Sequence, residues 1–309
     1  MNWKARDIMN RLASSSSLLQ EVSEQDLHNL KAVLLNMMQD IHNVCMNRNI
    51  RYSLLGGSML GAIRHQGFIP WDDDIDIVMP REDWERFKDI FQTDMGGKYV
   101  LEAPGYGDKD TKTFFGKVYL KGTTLLELQD LSSPFEKGIW IDIFVLENVS
   151  DSPLVRWFDG LVSDCWRIVS TCQQYYRYPN ELMDAYMGAT PASKWYYRAR
   201  KFVGFCFSFI SHKRFVALYD RFVSRHKKTR TYVTVPASRK FYRGEILPAT
   251  VFMPFHLVKF EDRQFLSMAD PHAYCRNLYG DTYMQEPPPE KRERHFFVKL
   301  DFGDALKPW

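Results

Sequence analysis

The chain has 309 residues, of which 45% are hydrophobic and 26% charged, and its formal net charge is +3. This composition is typical of a globular protein, and so small a net charge does not by itself indicate a nucleic-acid binder. The five cysteines form no C-x-x-C pair, which argues against a zinc knuckle or a disulfide framework and favours a reducing compartment. The N-terminus has no apolar signal-peptide core, and the longest apolar run, 202–210, is far shorter than the about 20 residues that span a membrane. We therefore expect a soluble, intracellular protein.

The first half of the chain predicts a succession of helices and short strands. Leu27, Leu30, Leu34 and Met37 recur every three or four residues, which is typical of an amphipathic helix. Glycines and short alternating runs mark the strands that follow. In chain order we predict a flexible Ser-rich leader (1–24), a helix (26–48), a strand (50–55), a short helix with Ser58 as its N-cap, a strand (74–79) and a helix (81–91).

The second half of the chain changes character twice. Two strands are predicted around Gly122 within 114–128, and a strand that is apolar on both faces at 138–149. Residues 151–230 have a helical and aromatic pattern, and short strands, turns and prolines follow. The predicted fold class is α+β, a mixed β-sheet flanked by helices with a helical aromatic and basic insertion. The predicted domains are a catalytic core (25–150), a helical subdomain (151–235) and a C-terminal segment that completes the active-site region (236–309).

Four acidic residues stand at the start of a predicted strand: Asp72, Asp73, Asp74 and Asp76. Side chains alternate faces along a strand, so Asp74 and Asp76 point the same way, about 6–7 Å apart at the backbone. Two such carboxylates repel each other unless a cation lies between them, and a hard divalent ion such as Mg²⁺ removes that penalty. The alternative is a solvated acidic turn. Asp72 and Asp73 rank lower, as residues that hold the loop or bind a second ion.

A Gly-Gly-Ser turn at 56–58 precedes the acidic run. Its glycines, Gly57 among them, let the backbone approach a ligand closely. The helix that follows offers free N–H groups and the positive end of its dipole to a phosphate. The alternative is an ordinary turn between a strand and a helix.

Asp142 lies within the apolar strand "IWIDIFVL". A carboxylate in such a strand is costly to bury unless something pairs with it. It would either complete a metal site with Asp74 and Asp76 on a neighbouring strand or form a salt bridge to a buried Arg or Lys.

A strand, a GGS turn, a helix, a D-x-D strand and an Asp-bearing strand together have the layout of the nucleotidyltransferase fold. The segment "GGSMLGAIRHQGFIPWDDDIDIVMPREDWERF" resembles the signature of the LicD family of phosphocholine transferases, which is related to fukutin. The segments "FFGKVYLKGT", "WIDIFVLENV" and "YGDTYMQEPPPEKRERH" are similar to the same family. The resemblance covers about 50–149 and about 240–295, and 151–235 carries no family motif that we can name.

The resemblance implies a reaction and roles for named residues. Such enzymes transfer a substituted phosphate, here phosphocholine from CDP-choline or the equivalent group of another CDP-alcohol, to a hydroxyl of a cell-surface glycan or its lipid-linked precursor. By position it implies that Asp74, Asp76 and Asp142 are catalytic and hold Mg²⁺ or Mn²⁺, with Asp142 either a ligand or the base. It also implies that Gly57 and Ser58 form the phosphate-holding turn.

Cations are expected around a site that binds a diphosphate. Arg64 follows on the GGS helix, Lys117 lies in the second matching segment, and His295 ends the terminal basic run. The alternatives are a pair between Arg64 and the acidic turn, a solvated Lys117 and a surface position for the terminal run. Trp71, just before the acidic residues, would either stack on cytosine or brace the loop.

The charge is distributed unevenly along the chain. Residues 194–230 contain eleven Lys and Arg residues and one acid, Asp220, a net charge of +10, interleaved with ten aromatic residues. Basic and aromatic helices suit the surface of an anionic membrane, so we expect a cytoplasmic protein that binds peripherally at the inner face. The alternative is a helical subdomain with packed aromatic residues and solvated charges.

Two other functions stay open at the level of sequence. One is a nucleotidyltransferase that attaches a nucleoside monophosphate, because the same three carboxylates serve that reaction. The other is an RNA-binding module that uses 194–230, whose aromatic residues would stack on bases. The basic segment lacks an RNA-binding motif, so we expect no nucleic-acid partner.

Overall fold

The structure is a computed structural model that describes residues 23–107, 111–127, 134, 136–179, 181, 184, 187–188, 190–227, 231–288, 292 and 297–306. Nearly all of the leader predicted at 1–24 lies outside the described residues. The first described helix begins at Glu24, where the Ser23 side chain caps it by accepting a hydrogen bond from the Asp26 N–H. None of the helices in the described ranges combines the length and apolar character that crossing a bilayer requires.

Helices occupy both ends and the middle of the described chain. They are α1 (Glu24–Asn47), α2 (Gly56–His65), α3 (Arg81–Asp94), α4 (Pro153–Arg177), α5 (Pro191–Cys206), α6 (His212–Val223), α7 (Phe241–Gly244), α8 (Ala249–Phe252) and α9 (Pro271–Tyr279). The strands are β1 (Ser53–Leu54), β2 (Asp76–Pro80), β3 (Tyr99–Glu102), β4 (Gly116–Leu120), β5 (Thr124–Glu127), β6 (Trp140–Asn148), β7 (Tyr232–Thr234), β8 (Leu247–Pro248), β9 (His256–Phe260), β10 (Arg263–Ser267) and β11 (Phe297–Asp301).

The main sheet is curled and mixed, with the strand order β1-β2-β6-β4-β3. Strands β2 and β6 are parallel, and the other pairs along this path are antiparallel. β7 pairs with the end of β6 and with β8, whereas β9–β10 and β5–β11 form separate two-stranded sheets. The predicted α+β class, a mixed sheet flanked by helices, is therefore confirmed.

The core lies against the main sheet and includes residues of α1, α2 and α3 and, from the C-terminal segment, of α8 and α9. The periodic residues of α1, including Leu30, Leu34 and Met37, are buried as the spacing predicts. In α3, Trp84 is fully buried, and its ring occupies the space beside Gly116 that a side chain would fill. Gly116 is needed at the start of β4 because a Cβ atom there would collide with that ring.

Three predictions around the glycine turn and the acidic run differ from the structure. The strand predicted at 50–55 is formed only at Ser53–Leu54, and the strand predicted from Asp74 begins at Asp76. The prediction that Ser58 is an N-cap is wrong, because α2 begins at Gly56 and its N-cap residue is Leu55. The Ser58 hydroxyl instead accepts a hydrogen bond from the Asp76 N–H at 2.9 Å, so it links α2 to the neighbouring strand.

The long helices predicted in 151–230 form a layer of α4, α5 and α6. Trp166 of α4 contacts Phe215 and stacks on Phe222 of α6 at a ring separation of 5.7 Å. Gly204 of α5 lies so close to the Cys172 carbonyl of α4 that no Cβ atom would fit between them. Glycine at this position lets the two helix backbones pack directly against each other.

A group of charged residues attaches this helical layer to the sheet. Arg81, at the start of α3, donates hydrogen bonds to Glu147 of β6, to Asp220 of α6 at 2.8 Å and to Glu85 at 2.8 Å. The Glu147 side chain is 2% exposed, and burial raises its pKa even though Arg81 opposes the shift. A buried carboxylate that depends on one cation becomes costly when that cation is removed.

We expect Arg81→Met to lower the free energy of unfolding by about 3–5 kcal/mol at neutral pH, because Glu147 would be left buried without its cation. The loss should shrink as the pH falls, because a raised carboxyl pKa favours the folded protein at low pH and that benefit is lost as the pH rises. Urea unfolding at several pH values measures both effects. Arg276→Met is the matched control, because Arg276 is exposed and faces an exposed Asp281 at 3.6 Å, a pair worth about 0–1 kcal/mol. Equal losses in the two variants would contradict the assignment.

Candidate functional site

Three strands of the main sheet place three charged side chains side by side. In the parallel pair β2–β6, Asp76 is the register partner of Asp142. In the antiparallel pair β4–β6, Asp142 is the register partner of Lys117. Register partners on adjacent strands project from the same face, about 4.8 Å apart along the hydrogen-bonding direction. Asp76, Asp142 and Lys117 therefore form one row across β2, β6 and β4.

The acidic run before β2 adds further carboxylates to this row. Oxygen atoms of Asp72, Asp73 and Asp74 lie within 4.8 Å of one another. Asp76 keeps some surface exposure, but its carboxylate is crowded. Burial, and then the negative charges of Asp74, Asp142 and Asp72, raise its pKa well above the usual range, and Lys117 opposes the shift. The structure therefore concentrates negative charge at the start of β2, where the sequence analysis expected it.

The Gly-Gly-Ser turn makes room for these carboxylates. Gly56 has a positive φ of 54°, and a Cβ atom on it would lie 2.9 Å from an oxygen of Asp76. A Cβ atom on Gly57 would lie 2.7 Å from an oxygen of Asp72. The turn is held from outside the motif as well, because the Gly56 N–H donates to the hydroxyl of Tyr274 at 3.3 Å. Substitution of either glycine would push a carboxylate out of the cluster.

These residues fit a hard divalent cation by their chemistry. Carboxylate oxygens are the ligands that Mg²⁺ and Mn²⁺ prefer, and a cation would relieve the repulsion that raises the pKa of Asp76. Of the predicted ligands, Asp76 and Asp142 are register partners and Asp74 lies near enough to raise the Asp76 pKa, whereas the carboxylates whose oxygens lie within 4.8 Å of one another are those of Asp72, Asp73 and Asp74. The donor set therefore suits Mg²⁺ or Mn²⁺ and contains none of the sulfur ligands that softer metals select.

Of the two readings of Asp142 that the sequence left open, the structure shows the salt bridge to a buried lysine, and the metal site stays a prediction. The Lys117 ammonium group donates to the Asp142 carboxylate at 2.6 Å, with side-chain exposures of 8% and 14%. The same ammonium group lies 4.2 Å from the centre of the Trp140 ring. Lys117 is therefore not solvated, as one alternative had it, but is held between a carboxylate and an aromatic face.

The predictions for the other two cationic residues, Arg64 and His295, have different outcomes. Arg64 turns toward the C-terminal segment, where its guanidinium donates to the carbonyls of Tyr283 at 2.9 Å and Gln285 at 3.2 Å. These contacts contradict the alternative that pairs Arg64 mainly with the acidic turn, and they leave donor binding by Arg64 a prediction. His295 lies outside the described residues, so its predicted role remains a prediction.

Trp71 braces the loop through its ring and through its burial. The side chain is 7% exposed, and the guanidinium of Arg292 lies 4.0 Å from the ring centre, with that of Arg64 at 6.0 Å. This geometry favours the bracing alternative, because a cytosine ring would compete with Arg292 for the same aromatic face. The two arginines fasten the acidic loop to the C-terminal segment.

Sequence reasoning missed the tyrosines of α9. Tyr274 contacts the glycine turn, and Tyr279 lies close enough to the acids that Asp72 and Asp76 help burial to raise its pKa well above the usual range. The prediction that the C-terminal segment completes this region included them only as a block. Their distance of about 200 residues from the acidic run hides the contact from any local pattern.

The chain is similar to one protein family and to individual proteins. Residues 49–151 match the family model described as "LicD/FKTN/FKRP, nucleotidyltransferase domain". The chain is 28% identical over 275 residues to the lipopolysaccharide cholinephosphotransferase LicD of Haemophilus influenzae, covering 87% of this chain and 95% of that protein. It is also 46% identical over 57 residues to an uncharacterized protein of Rickettsia typhi, covering 18% of each chain.

The matched region contains the row of charged residues and the acidic run that have just been described. It includes Gly56 and Asp142, and the similarity to the Haemophilus protein covers 87% of the chain. Residues 49–151 are therefore similar to the LicD family domain, and the chain resembles the Haemophilus LicD protein along most of its length.

Proposed function

We propose that this protein transfers phosphocholine from CDP-choline to a hydroxyl of a cell-surface glycan or of its lipid-linked precursor. The observation that carries the proposal is the row formed by Asp76, Asp142 and Lys117 beside the acidic run, inside the region that is similar to the LicD family domain. The name of the Haemophilus relative, a lipopolysaccharide cholinephosphotransferase, supports both the transferred group and a glycan acceptor.

In the proposed site, Asp74 and Asp76 would hold Mg²⁺ or Mn²⁺ and leave Asp142 to act as the base, and Asp72 and Asp73 would supply further oxygen atoms nearby. The ion, when bound, neutralises the charge of the donor's diphosphate and of the departing CMP. The glycine turn at Gly57 lets the backbone pass close to this position, as the family resemblance predicts for the phosphate. Ser58 fixes the Asp76 backbone through its hydroxyl, so it contributes to the site by orienting that carboxylate.

Asp142 is the proposed base in the transfer step. The acceptor hydroxyl oxygen attacks the phosphorus atom that carries choline, its proton passes to the Asp142 carboxylate, and the bond from phosphorus to the CMP oxygen breaks. Lys117 stabilises the negative charge that Asp142 needs before it accepts the proton. The charged row therefore keeps a basic carboxylate next to the place where the diphosphate would bind.

The proposed location is the cytoplasmic side of a membrane, where a CDP-alcohol and a lipid-linked acceptor would meet. The basic segment 194–230 predicted at the level of sequence supports peripheral contact with anionic lipid through its net positive charge. The proposed donor and the proposed location are independent of each other, so separate experiments test them.

We expect Asp76→Asn to lower turnover by about 10³-fold or more, because the amide loses the charge that holds the cation. The assay follows nucleotide release by mass after incubation with CDP-choline, CDP-ethanolamine, CDP-ribitol or CDP-glycerol. Asp262→Asn is the control, because Asp262 is 79% exposed and lies in the turn between β9 and β10, outside the acidic cluster. Turnover that survives in Asp76→Asn would reject the site, and release of pyrophosphate from a nucleoside triphosphate would support the nucleotidyltransferase alternative.

We expect Mg²⁺ or Mn²⁺ to raise the melting temperature of the wild-type protein in the absence of any nucleotide. A ligand that binds only the folded state at about 100 times its Kd stabilises by about 2.7 kcal/mol. The variants Asp74→Asn and Asp76→Asn should lose most of this shift, whereas Asp262→Asn should keep it. An equal shift in all four proteins would show that the cation binds elsewhere.

A further inference from the structure

The outer side of α4 is apolar along about 20 Å of helix. Leu154 is 82% exposed and Phe158 57% exposed, and Leu161 and Ile168 continue the same stripe at helical spacing. None of the residues of α4 that are classed as exposed carries a charge. Single exposed apolar side chains are normal, but a continuous stripe of them on a helix indicates a surface that something covers.

Helix α5 presents a second stripe of the same kind, mixed with cations. Trp195 is 73% exposed and Phe202 66% exposed, and Phe205 follows at the spacing of one helix face. Lys194 and Arg198 are exposed on the same side by the helical period. The outer side of α5 thus combines large aromatic residues with positive charge.

The two stripes form one surface. Tyr176 of α4 and Phe205 of α5 are both partly exposed, and their rings meet edge to face at 5.7 Å. The close contact between Gly204 and Cys172 holds the two helices together at this point. Within the described residues, thirteen of the nineteen exposed large hydrophobic side chains fall between 154 and 209, so the exposed apolar area is concentrated here.

The charge around this surface selects a negative partner. Described residues 190–227 contain nine Lys and Arg residues and one acid, Asp220, a net charge of +8. Asp220 is paired with Arg81 in the network that anchors α6, so it faces the sheet side of the layer. An isologous dimer through this surface would bring two such segments together, and the repulsion disfavours a second copy as the occupant.

We propose that the outer sides of α4 and α5 form a docking face that binds the surface of an anionic bilayer. Tryptophan, phenylalanine and leucine beside lysine and arginine are the composition of helices that lie in the interface of a membrane. The proposal deepens the proposed function, on which it rests for the lipid-linked acceptor.

The docking face differs in position from the membrane contact that the sequence predicted. The basic segment 194–230 was expected to carry it, yet α6, which lies within that segment, buries Phe215, Val216, Tyr219 and Val223 against the rest of the protein. The apolar part of the docking face comes from α5, most of which lies within that segment, and from α4, which lies outside it. Amphipathic helices bind membranes through buried apolar area together with charge, so both helices are needed.

The test is flotation of the full chain with vesicles of phosphatidylcholine, with and without phosphatidylglycerol. The docking variant carries Phe158→Ser, Trp195→Ser and Phe202→Ser. The matched control carries Met46→Ser, Leu257→Ser and Leu306→Ser, three residues that are each 48% exposed and lie outside α4 and α5. A charge variant carries Lys194→Gln and Arg198→Gln. Circular dichroism and melting temperature establish that each variant folds.

We expect wild type and the matched control to float with the anionic vesicles, and the docking variant to partition about tenfold less. The charge variant should lose much of its preference for phosphatidylglycerol. Wild-type binding that the docking variant retains, or no binding to either vesicle, would overturn the proposal. Self-association that only the docking variant abolishes, without vesicle binding, would assign the face to a second copy instead.

Vesicle binding is independent of turnover, so the two proposals fail separately. Asp76→Asn should float as the wild type does, although we expect it to be inactive. The docking variant should still transfer phosphocholine from CDP-choline to a water-soluble glycan acceptor and release CMP. None of its three residues belongs to the charged row. An inactive wild type that binds vesicles would reject the proposed reaction alone.

Discussion

The repulsion between carboxylates at the start of β2 is the constraint on which the site depends. Asp76 and Asp142 are fixed side by side by the parallel pairing of β2 and β6, and the acidic loop brings Asp74 and Asp72 close to them. Strand pairing does not allow these charges to separate, so the folded protein relieves the repulsion by other means. Lys117 supplies one positive charge from β4, and burial together with the neighbouring carboxylates raises the pKa of Asp76.

The surroundings of the acidic loop follow from that constraint. The glycines at 56 and 57 leave the space that the carboxylates occupy, and Ser58 binds the backbone of Asp76. Arg292 stacks on Trp71, and Arg64 binds backbone carbonyls beyond α9, so the C-terminal segment holds the loop from the other side. A loop with this much like charge would otherwise spread into solvent. Side chains far apart in the chain thus keep the carboxylates of the acidic loop together.

The helical layer buries charged side chains on one side and exposes apolar side chains on the other. On its inner side, Arg81 joins α3, β6 and α6 through carboxylates that are shielded from water. On its outer side, α4 and α5 leave aromatic and aliphatic residues exposed beside lysine and arginine. A layer built only for stability would bury the aromatic and aliphatic residues and expose the charged ones. The arrangement is consistent with a catalytic core that is carried to a surface by a separate set of helices.

The sequence by itself determined the elements whose signals are local. The spacing of Leu30 and Leu34 predicted α1, the alternation after Asp74 predicted β2, and the mixed-sheet class followed from the order of elements. The juxtaposition of Asp142 with Asp76 was anticipated from the cost of a lone carboxylate in an apolar strand and from the family resemblance. These predictions succeeded because side-chain periodicity and the cost of burial act within one element.

The tertiary structure alone decided what depends on partners distant in the chain. The Ser58 hydroxyl serves Asp76 rather than its own helix, Lys117 binds Asp142, and Tyr274 reaches the glycine turn. Which helices of the second half bury most of their aromatic residues was likewise undetermined, since α5 and α6 have similar basic and aromatic compositions but α6 buries Phe215 and Tyr219 whereas α5 leaves Trp195 and Phe202 exposed. A side chain's partner is set by the register of strands and the packing of helices, and neither is encoded in its own neighbourhood.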